Sequence, residues 1–174
     1  MKSPSWWPLR LDLARSGAVL AIALAALAQA GCDRQPPVPD FSYVRLDGTR
    51  ASSAELRGQV VLVNFWATSC VVCVREMPEL VATHEQFQAR GLRTLAVAMS
   101  YDPPARVAQF AETRRLPFEV VIDNTGAIAR AFGDVKATPT TFLIDRSGAV
   151  VGRYVGAPDF AELQTTIARL VGNG

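Results

Sequence analysis

The amino-acid sequence predicts an α/β fold in which helices cover both faces of one mixed β-sheet. Short apolar runs rich in β-branched residues alternate with segments of helical periodicity, which is the pattern of a sheet buried on both faces. The chain then ends in a hairpin followed by an amphipathic helix, so the sheet is mixed rather than wholly parallel. At 174 residues, of which 49% are hydrophobic and 20% charged, the chain has room for one domain with a core.

The first half of the domain opens with a predicted hairpin. Residues 41–53 alternate around an Asp-Gly dipeptide, which is typical of a tight hairpin turn. Residues 60–65 (VVLVNF) form a short β-branched run, as expected of a buried strand. Residues 70–90 have helical spacing, and Gly91 is a typical end signal for that helix. One apolar stripe runs along the helix and consists of Cys73, Met77, Leu80, His84 and Phe87.

The second half continues the alternation of strands and helices. Strands are predicted where apolar residues form short runs, and helices where apolar residues recur at helical spacing. These patterns predict strands at 92–99 and 118–122, helices at 104–114 and 125–132, a hairpin of strands 140–144 and 150–154, and a closing helix at 158–170.

Residues 1–31 have the layout of a bacterial export signal. Lys2, Arg10 and Arg15 precede an apolar run at 17–28 (GAVLAIALAALA) that is short for a helix that crosses a bilayer. A buried core helix is the other interpretation, and both the N-terminal position and the proline-rich stretch that follows disfavour it. We therefore expect an exported protein, located in the periplasm or at the periplasmic side of the inner membrane.

The end of this signal allows three outcomes. The sequence AQA at 28–30 fits cleavage by a signal peptidase, whereas AGC at 30–32 resembles the end of a lipoprotein signal, in which Cys32 carries lipid. An uncleaved signal anchor is the third. We favour lipidation of Cys32, and with it membrane association through the N-terminus, because a lone thiol is awkward in an oxidising compartment. Residues 32–39 then form a linker, and residues 40–174 form the folded domain.

The balance of charges and the number of cysteines exclude some classes of function and fold. Of the 18 basic and 16 acidic side chains, three basic and one acidic lie in residues 1–31, so 15 of each remain in the rest of the chain. This balance leaves no basic patch, and we predict no binding of nucleic acid. Only two cysteines follow Cys32, so the fold has no disulfide framework. We also predict no bound cofactor.

Cys70 and Cys73 are the candidate reactive residues. They stand three positions apart, where the predicted helix follows a buried strand. The first thiol would lie at the helix N-terminus, where free N–H groups and the positive end of the helix dipole favour a thiolate. The second would lie one turn along, close enough to attack a mixed disulfide. This spacing predicts a redox-active pair.

A zinc site is the main alternative for these two thiols, and it needs two further ligands. His84 stands 11 residues beyond Cys73, about 16 Å along the same helix, which is too far for it to share a metal with the pair. We interpret His84 as a packing residue of the apolar stripe and predict no metal site.

Two segments carry a resemblance to a known family, VVLVNFWATSCVVCVREMPEL at 60–80 and ATPTTFLIDRSG at 137–148. Over residues 38–171 the chain resembles the TlpA/ResA-like branch of thioredoxins. The resemblance implies a thioredoxin fold with an N-terminal β-hairpin and a central helical insertion at 104–132. It also implies a thiol-disulfide oxidoreductase that reduces protein disulfides outside the cytoplasm, in cytochrome c maturation or cytochrome oxidase assembly.

The resemblance assigns roles to the residues around the two thiols. Cys70 would be the attacking thiol and Cys73 the resolving one. Glu76 matches a family acid three residues after the second cysteine. Asn64 stands where ordinary thioredoxins carry a buried aspartate, so Glu76 is the nearer candidate to manage the proton of Cys73. A solvated charge in the first helical turn is the alternative for Glu76.

The resemblance also implies where a substrate binds. Pro139 matches the cis-proline that faces the disulfide, so Thr138 and Pro139 would border an extended substrate strand. Trp66, beside the thiols, would also belong to this substrate-binding site, in a supporting position. This chain departs from its relatives in the dipeptide Val71-Val72 between the cysteines, where prolines or glycine-proline are common.

Two other functions would use the same thiols. A metallochaperone would bind Cu(I), for which soft thiolates are suitable ligands, but no Met- or His-rich tract supports it. A thiol peroxidase would carry the pattern Pro-x-x-x-Thr-x-x-Cys, and Cys70 lacks that proline. We expect a monomer that acts on protein disulfides and receives electrons from a membrane-bound donor.

Overall fold

The central feature of the computed structural model, which describes residues 40–172, is a five-stranded mixed β-sheet. A two-stranded hairpin precedes this sheet in the chain. The order of elements agrees with the one predicted from the sequence. The elements are β1 (Ser42–Val44), β2 (Arg50–Ser52), a 3-10 turn (Ser53–Leu56), β3 (Val60–Trp66), α1 (Val71–Phe87), β4 (Leu92–Ala98), α2 (Pro104–Arg114), β5 (Glu119–Ile122), α3 (Ala127–Ala131), β6 (Thr140–Ile144), β7 (Val150–Val155) and α4 (Phe160–Gly172).

Strand β3 lies at the centre of the sheet, whose order is β5-β4-β3-β6-β7. It pairs in parallel with β4 and antiparallel with β6. On the two flanks, β5 pairs in parallel with β4, and β7 pairs antiparallel with β6. The mixed sheet confirms the predicted α/β class. The insertion predicted over residues 104–132 comprises α2, β5 and α3, so it supplies an edge strand as well as helices.

The strand registers bring three loops to one edge of the sheet. Trp66 at the end of β3 pairs with Ala98 at the end of β4, so the segments that follow both strands leave from the same edge. Phe65 pairs with Thr140 at the start of β6, so the segment that leads into β6 arrives there too. We call this the loop edge, and it carries residues 67–70, 99–103 and 137–139.

Strand β3 is buried on both faces because alternate residues enter two apolar clusters. On one face Val60, Leu62 and Trp66 pack with apolar residues of α1, α2 and α4. On the other face the remaining apolar residues of β3 pack with the hairpin and α3, in a cluster that includes Val61, Val63, Phe65, Tyr43, Leu56 and Ile128. Helices therefore cover both faces, as the sequence predicts.

Helix α1 buries the whole apolar stripe predicted from its periodicity. Glu76 and Thr83 are buried beside that stripe, which the periodicity alone did not indicate. His84 has the packing role expected of it. Its ring meets Phe118 edge-on at 5.5 Å, and its Nδ1 lies 3.1 Å from the hydroxyl oxygen of Thr94. These contacts hold α1 against the sheet.

Three predictions fall on residues outside the described range. They are the export signal over residues 1–31, the lipidation of Cys32 and the linker over residues 32–39. All three stay predictions. Within residues 40–172, no helix has both the length and the apolar character needed to cross a membrane.

Candidate active site

The two cysteines lie at the loop edge, where the segment after β3 enters α1. Cys70 is the N-cap residue of α1 and has an extended backbone, while Cys73 lies in the first turn. Their sulfur atoms form a disulfide, and their Cα atoms are 5.2 Å apart. The N–H of Cys73 donates to Sγ of Cys70 at 3.2 Å. A sulfur in this position receives the free N–H groups of the helix start, which stabilise a thiolate once the disulfide is reduced.

The two sulfur-bearing residues differ in accessibility. Cys70 is partly exposed, whereas Cys73 is completely buried in the apolar cluster that also holds Trp66. Val71 and Val72, the residues between the cysteines, are both exposed. An incoming disulfide can therefore reach only Cys70, which agrees with the roles expected of the two thiols.

Glu76 lies on the buried side of α1, one turn beyond Cys73. A spacing of three residues puts both side chains on the same face of the helix. Only 5% of Glu76 is exposed. Its Oε1 accepts a hydrogen bond of 3.0 Å from Nδ2 of Asn64, while Oε2 has no hydrogen-bond partner among the described residues. Burial raises the pKa of Glu76 to about 7, and the hydrogen bond from Asn64 opposes that rise.

Asn64 connects this carboxyl group to the central strands. It lies in the middle of β3 and is fully buried, because β3 is covered on both faces. Besides Glu76, its amide donates to the hydroxyl oxygen of Thr141 at 2.9 Å, and Thr141 is its register partner in β6. Glu76 is therefore held by a neutral amide and not by a cation, which leaves its carboxyl group free to exchange a proton near neutral pH.

The loop before β6 forms the second side of the site. The peptide bond between Thr138 and Pro139 is cis, as the resemblance implies. Pro139 is buried, and its carbonyl accepts the N–H of Gly156 at 2.8 Å, which fixes the loop against the end of β7. Thr138 is partly exposed at the loop edge. The structure thus brings Thr138 and Pro139 to the edge that carries the disulfide.

The third side of the site comes from residues 99–103, which follow β4. Asp102 is 2% exposed, and its carboxylate accepts the N–H of Thr68 at 2.5 Å and the hydroxyl of Thr68 at 2.6 Å. The hydroxyl of Tyr101 lies 3.3 Å from that of Thr138. Tyr101 and Asp102 therefore join the loop before Cys70 to the loop before β6.

Sequence reasoning missed Tyr101 and Asp102. No residue pattern marks them, but their place does offer a signal. They directly follow a buried parallel strand, and the segments after the carboxyl ends of parallel strands gather at one edge of a sheet. That rule would have placed them beside the disulfide.

Trp66 lies beneath the site and is fully buried. Its ring packs against Phe110 of α2, with the ring centroids 5.1 Å apart. From the sequence we expect Trp66 among the substrate-binding residues, in a supporting position. Its burial restricts it to a supporting role, since the ring presents no surface to a substrate.

Comparisons with known proteins agree with this geometry. Residues 35–153 match the model of the AhpC/TSA family. The chain is 40% identical over 112 residues to the thiol-disulfide oxidoreductase ResA of Geobacillus thermodenitrificans, and this alignment covers 64% of the chain and 63% of ResA. It is also 32% identical over 138 residues to the thioredoxin-like protein YneN of Bacillus subtilis, across 78% of the chain and 79% of YneN.

A solved structure shows the same fold. The thiol:disulfide interchange protein of the thioredoxin family from Chlorobium tepidum superposes with a TM-score of 0.72 at 33% identity, across 81% of this chain and all of that one (100%). The sheet order, the cysteine pair at a helix start and the proline loop beside it define a thioredoxin-fold domain with one dithiol centre. The chain belongs to the AhpC/TSA family. Its relatives also confirm the resemblance to the TlpA/ResA-like thioredoxins.

Proposed function

We propose that this protein is a thiol-disulfide oxidoreductase that reduces disulfides of other proteins outside the cytoplasm. The observation that carries the proposal is the asymmetry of the cysteine pair. Cys70 is accessible at the start of a helix, whereas Cys73 is buried one turn before a buried carboxyl group, Glu76. A structural disulfide needs neither this difference in accessibility nor a proton acceptor.

Reduction of a substrate begins with Cys70. In the dithiol form its thiolate attacks one sulfur of the substrate disulfide, so a new S–S bond forms to Cys70 and the other substrate sulfur leaves as a thiolate. Cys73 then attacks Sγ of Cys70. The Cys70–Cys73 disulfide forms, the second substrate thiolate leaves, and two electrons have passed to the substrate. A dithiol donor returns the pair to its reduced form by the same exchange.

Glu76 supplies the proton acceptor for the second attack. The thiol of Cys73 must lose its proton to become a nucleophile, and burial among apolar residues disfavours a thiolate there. A carboxyl group with a pKa of about 7 accepts that proton more readily than an ordinary glutamate does. We assign Glu76 this role because it lies on the same helical face as Cys73 and has one oxygen without a hydrogen-bond partner among the described residues.

The proposal includes the location of the protein in the cell, its electron donor and its substrate. The expected export signal over residues 1–31 and lipid on Cys32 would hold the domain at the periplasmic side of the inner membrane, near a membrane-bound dithiol donor. ResA from Geobacillus, at 40% identity, is named a thiol-disulfide oxidoreductase, which supports the reaction class. Cytochrome c maturation, with the oxidised cysteine pair of an apocytochrome as substrate, is the pathway we propose.

A thiol peroxidase is the second candidate, because residues 35–153 match a family described as AhpC/TSA. The peroxidase pattern would place a proline at position 63 and a threonine at position 67, where the chain has Val63 and Ala67. Both of these residues are apolar and buried, so the chain lacks the hydroxyl that the threonine of the pattern would offer to a peroxide. The local sequence therefore favours disulfide exchange.

The test follows single turnovers of the reduced full-length chain with a peptide that contains the disulfide of a Cys-x-x-Cys-His segment. We expect stoichiometric reduction by the wild type, accumulation of a mixed disulfide on Cys70 in Cys73→Ser, and no reaction in Cys70→Ser. Hydrogen peroxide offered to the same protein should be consumed at the rate of an ordinary thiol. Rapid peroxide consumption without peptide reduction would replace the proposal with the peroxidase.

A further inference from the structure

The connection between β4 and α2 holds Tyr101 in a fixed position at the loop edge. Its neighbour Asp102 is buried and bound twice to Thr68, and the N–H of Asp102 donates to the carbonyl of Met99 at 2.9 Å. The N–H of Met99 in turn donates to the carbonyl of Trp66 at 3.0 Å, which continues the β3–β4 pairing. The backbone on which Tyr101 sits is therefore tied to the strand that leads to the disulfide.

The side chain of Tyr101 points away from this anchored backbone. It is 58% exposed, and its hydroxyl lies 3.3 Å from the hydroxyl of Thr138, the residue before Pro139. An aromatic ring that has few rotamers and is tethered at its tip offers contact area at a low entropic cost. Tyr101 thus offers a fixed aromatic contact surface beside the loop where we expect an extended substrate to lie.

Tyr101 belongs to an apolar rim around the disulfide. Seven large apolar side chains are exposed among residues 40–172, and four of them lie in the loop edge or directly beside it. These four are Val71 at 70%, Val72 at 43%, Tyr101 at 58% and Val155 at 63%, the last being the register partner of Thr140. The other three belong to the hairpin and to the start of β7, and they are Val44, Leu46 and Val151.

Two of the three segments at the loop edge carry no charged side chain, and Asp102 in the third segment is buried. Residues 66–74 (WATSCVVCV) and residues 137–144 (ATPTTFLI) contain no ionisable side chain other than the two cysteines. A ligand that relied on charge would find no counterion in either segment, whereas an apolar side chain would be removed from water against the rim.

We propose that Tyr101 is a specificity-determining residue that selects substrates with an apolar side chain next to their disulfide cysteine. The inference rests on the proposed function, since the occupant is the polypeptide whose cysteine bonds to Cys70. A substrate residue adjacent to the cysteine that bonds to Cys70 must contact the rim. Val71 follows Cys70 directly, and Tyr101 contacts Thr138 in the loop on the other side of the site. Asp102 acts as a positioning residue by fixing the backbone of Tyr101.

The test uses two short peptides that differ only beside the cysteine, Leu-Cys-Leu and Ser-Cys-Ser, each linked through its cysteine sulfur to 5-thio-2-nitrobenzoate. The reduced full-length chain releases the coloured thiolate from them, and the ratio of the two second-order rate constants is the readout. We expect the wild type to prefer the leucine peptide about fivefold, the size of the effect when part of an aliphatic side chain is buried against a ring.

Substitutions then assign this preference to the ring. Tyr101→Phe keeps the ring but loses the hydroxyl that contacts Thr138, so it should keep most of the ratio, whereas Tyr101→Ala should lower the ratio to about twofold or less. Val151→Ala is the matched control, because Val151 is exposed at the start of β7, and it should leave the ratio unchanged. Because the ratio is measured within one protein, a general loss of reactivity in a variant does not alter it.

The outcomes separate this inference from the proposed function. A wild type that releases the thiolate from both peptides at equal rates would overturn the selection of apolar side chains, with the proposed function intact. An unchanged preference in Tyr101→Ala would overturn the role of Tyr101. No release from either peptide by reduced wild type would contradict the proposed function itself, and the inference would fall with it.

Discussion

The exchange of Glu76 for glutamine tests the most unusual group of the site. Glutamine keeps the shape of the side chain and can still accept the hydrogen bond from Asn64, but it cannot take the proton of Cys73. General base catalysis contributes about 100-fold or more where it operates, so release of the substrate from Cys70 should slow by about that factor at neutral pH. The rate of the first attack by Cys70 should change little, because Glu76 is buried one turn beyond Cys73 and does not take part in that step.

The same substitution has a defined effect on stability. Burial raises the pKa of Glu76 from 4.5 to about 7, so the folded protein holds a proton that the unfolded chain releases across this range. The free energy of unfolding therefore falls as the pH rises from about 4.5 to about 7, by at most about 3 kcal/mol, and is level above that range. Glu76→Gln removes this fall. The variant should gain stability relative to the wild type as the pH rises.

Two assays measure these effects, and Glu79→Gln, an exposed position on the same helix, serves as the control for both. Rapid-quench analysis of reduced protein with a protein disulfide separates mixed-disulfide formation from its resolution. Urea denaturation of the oxidised protein at about pH 5 and about pH 8 gives the stability difference. Equal resolution rates in Glu76→Gln and wild type, with the same pH dependence of stability, would refute the role assigned to Glu76.

Three further outcomes follow from the same site. Brief alkylation of the reduced protein near neutral pH should label Cys70 at least about 10 times faster than the buried Cys73, and preferential labelling of Cys73 would reverse the assigned roles. Asn64→Leu removes the hydrogen bond that lowers the pKa of Glu76. The midpoint of the pH–rate profile for resolution should therefore move above its wild-type value. A midpoint that stays or falls would contradict the effect assigned to the Asn64–Glu76 hydrogen bond. Asp102→Asn weakens two hydrogen bonds to Thr68 and should lower the free energy of unfolding by about 1–3 kcal/mol. Urea denaturation measures this change, and an unchanged urea midpoint would show that the contact between Asp102 and Thr68 is dispensable.

Much of the fold is predictable because burial determines the residue pattern directly. Strands β3 and β4 are covered on both faces and therefore contain continuous apolar runs, and α1 packs one side on the sheet and therefore shows a helical stripe. Helix α2 and strand β6 have the predicted bounds, and the ends of the other elements differ from prediction by at most three residues. The helix predicted over residues 70–90, for example, is α1 over Val71–Phe87 followed by a 3-10 turn at Gln88–Arg90.

The site is predictable only where local spacing carries the chemistry. The position of Cys70 and Cys73 at a helix start follows from the order of a strand, a short loop and a helix. Spacing alone left Glu76 equally compatible with a solvated charge, because its burial depends on the cover that the sheet provides. The contacts of Tyr101 with Thr138, and of Asp102 with Thr68, join residues 34 or more positions apart, and no local pattern records them.

The most direct test of the central claim is the equilibrium reduction potential of the Cys70–Cys73 couple, measured against glutathione and followed by thiol alkylation. A reductase of protein disulfides requires a low potential, and we expect a value near that of thioredoxin, about −270 mV. Cys70→Ser and Cys73→Ser should each abolish the two-electron transition, which assigns it to this pair. A value of about −120 mV, which is typical of a strong oxidant, would contradict the claim. The pair would then introduce disulfides into substrates instead of reducing them.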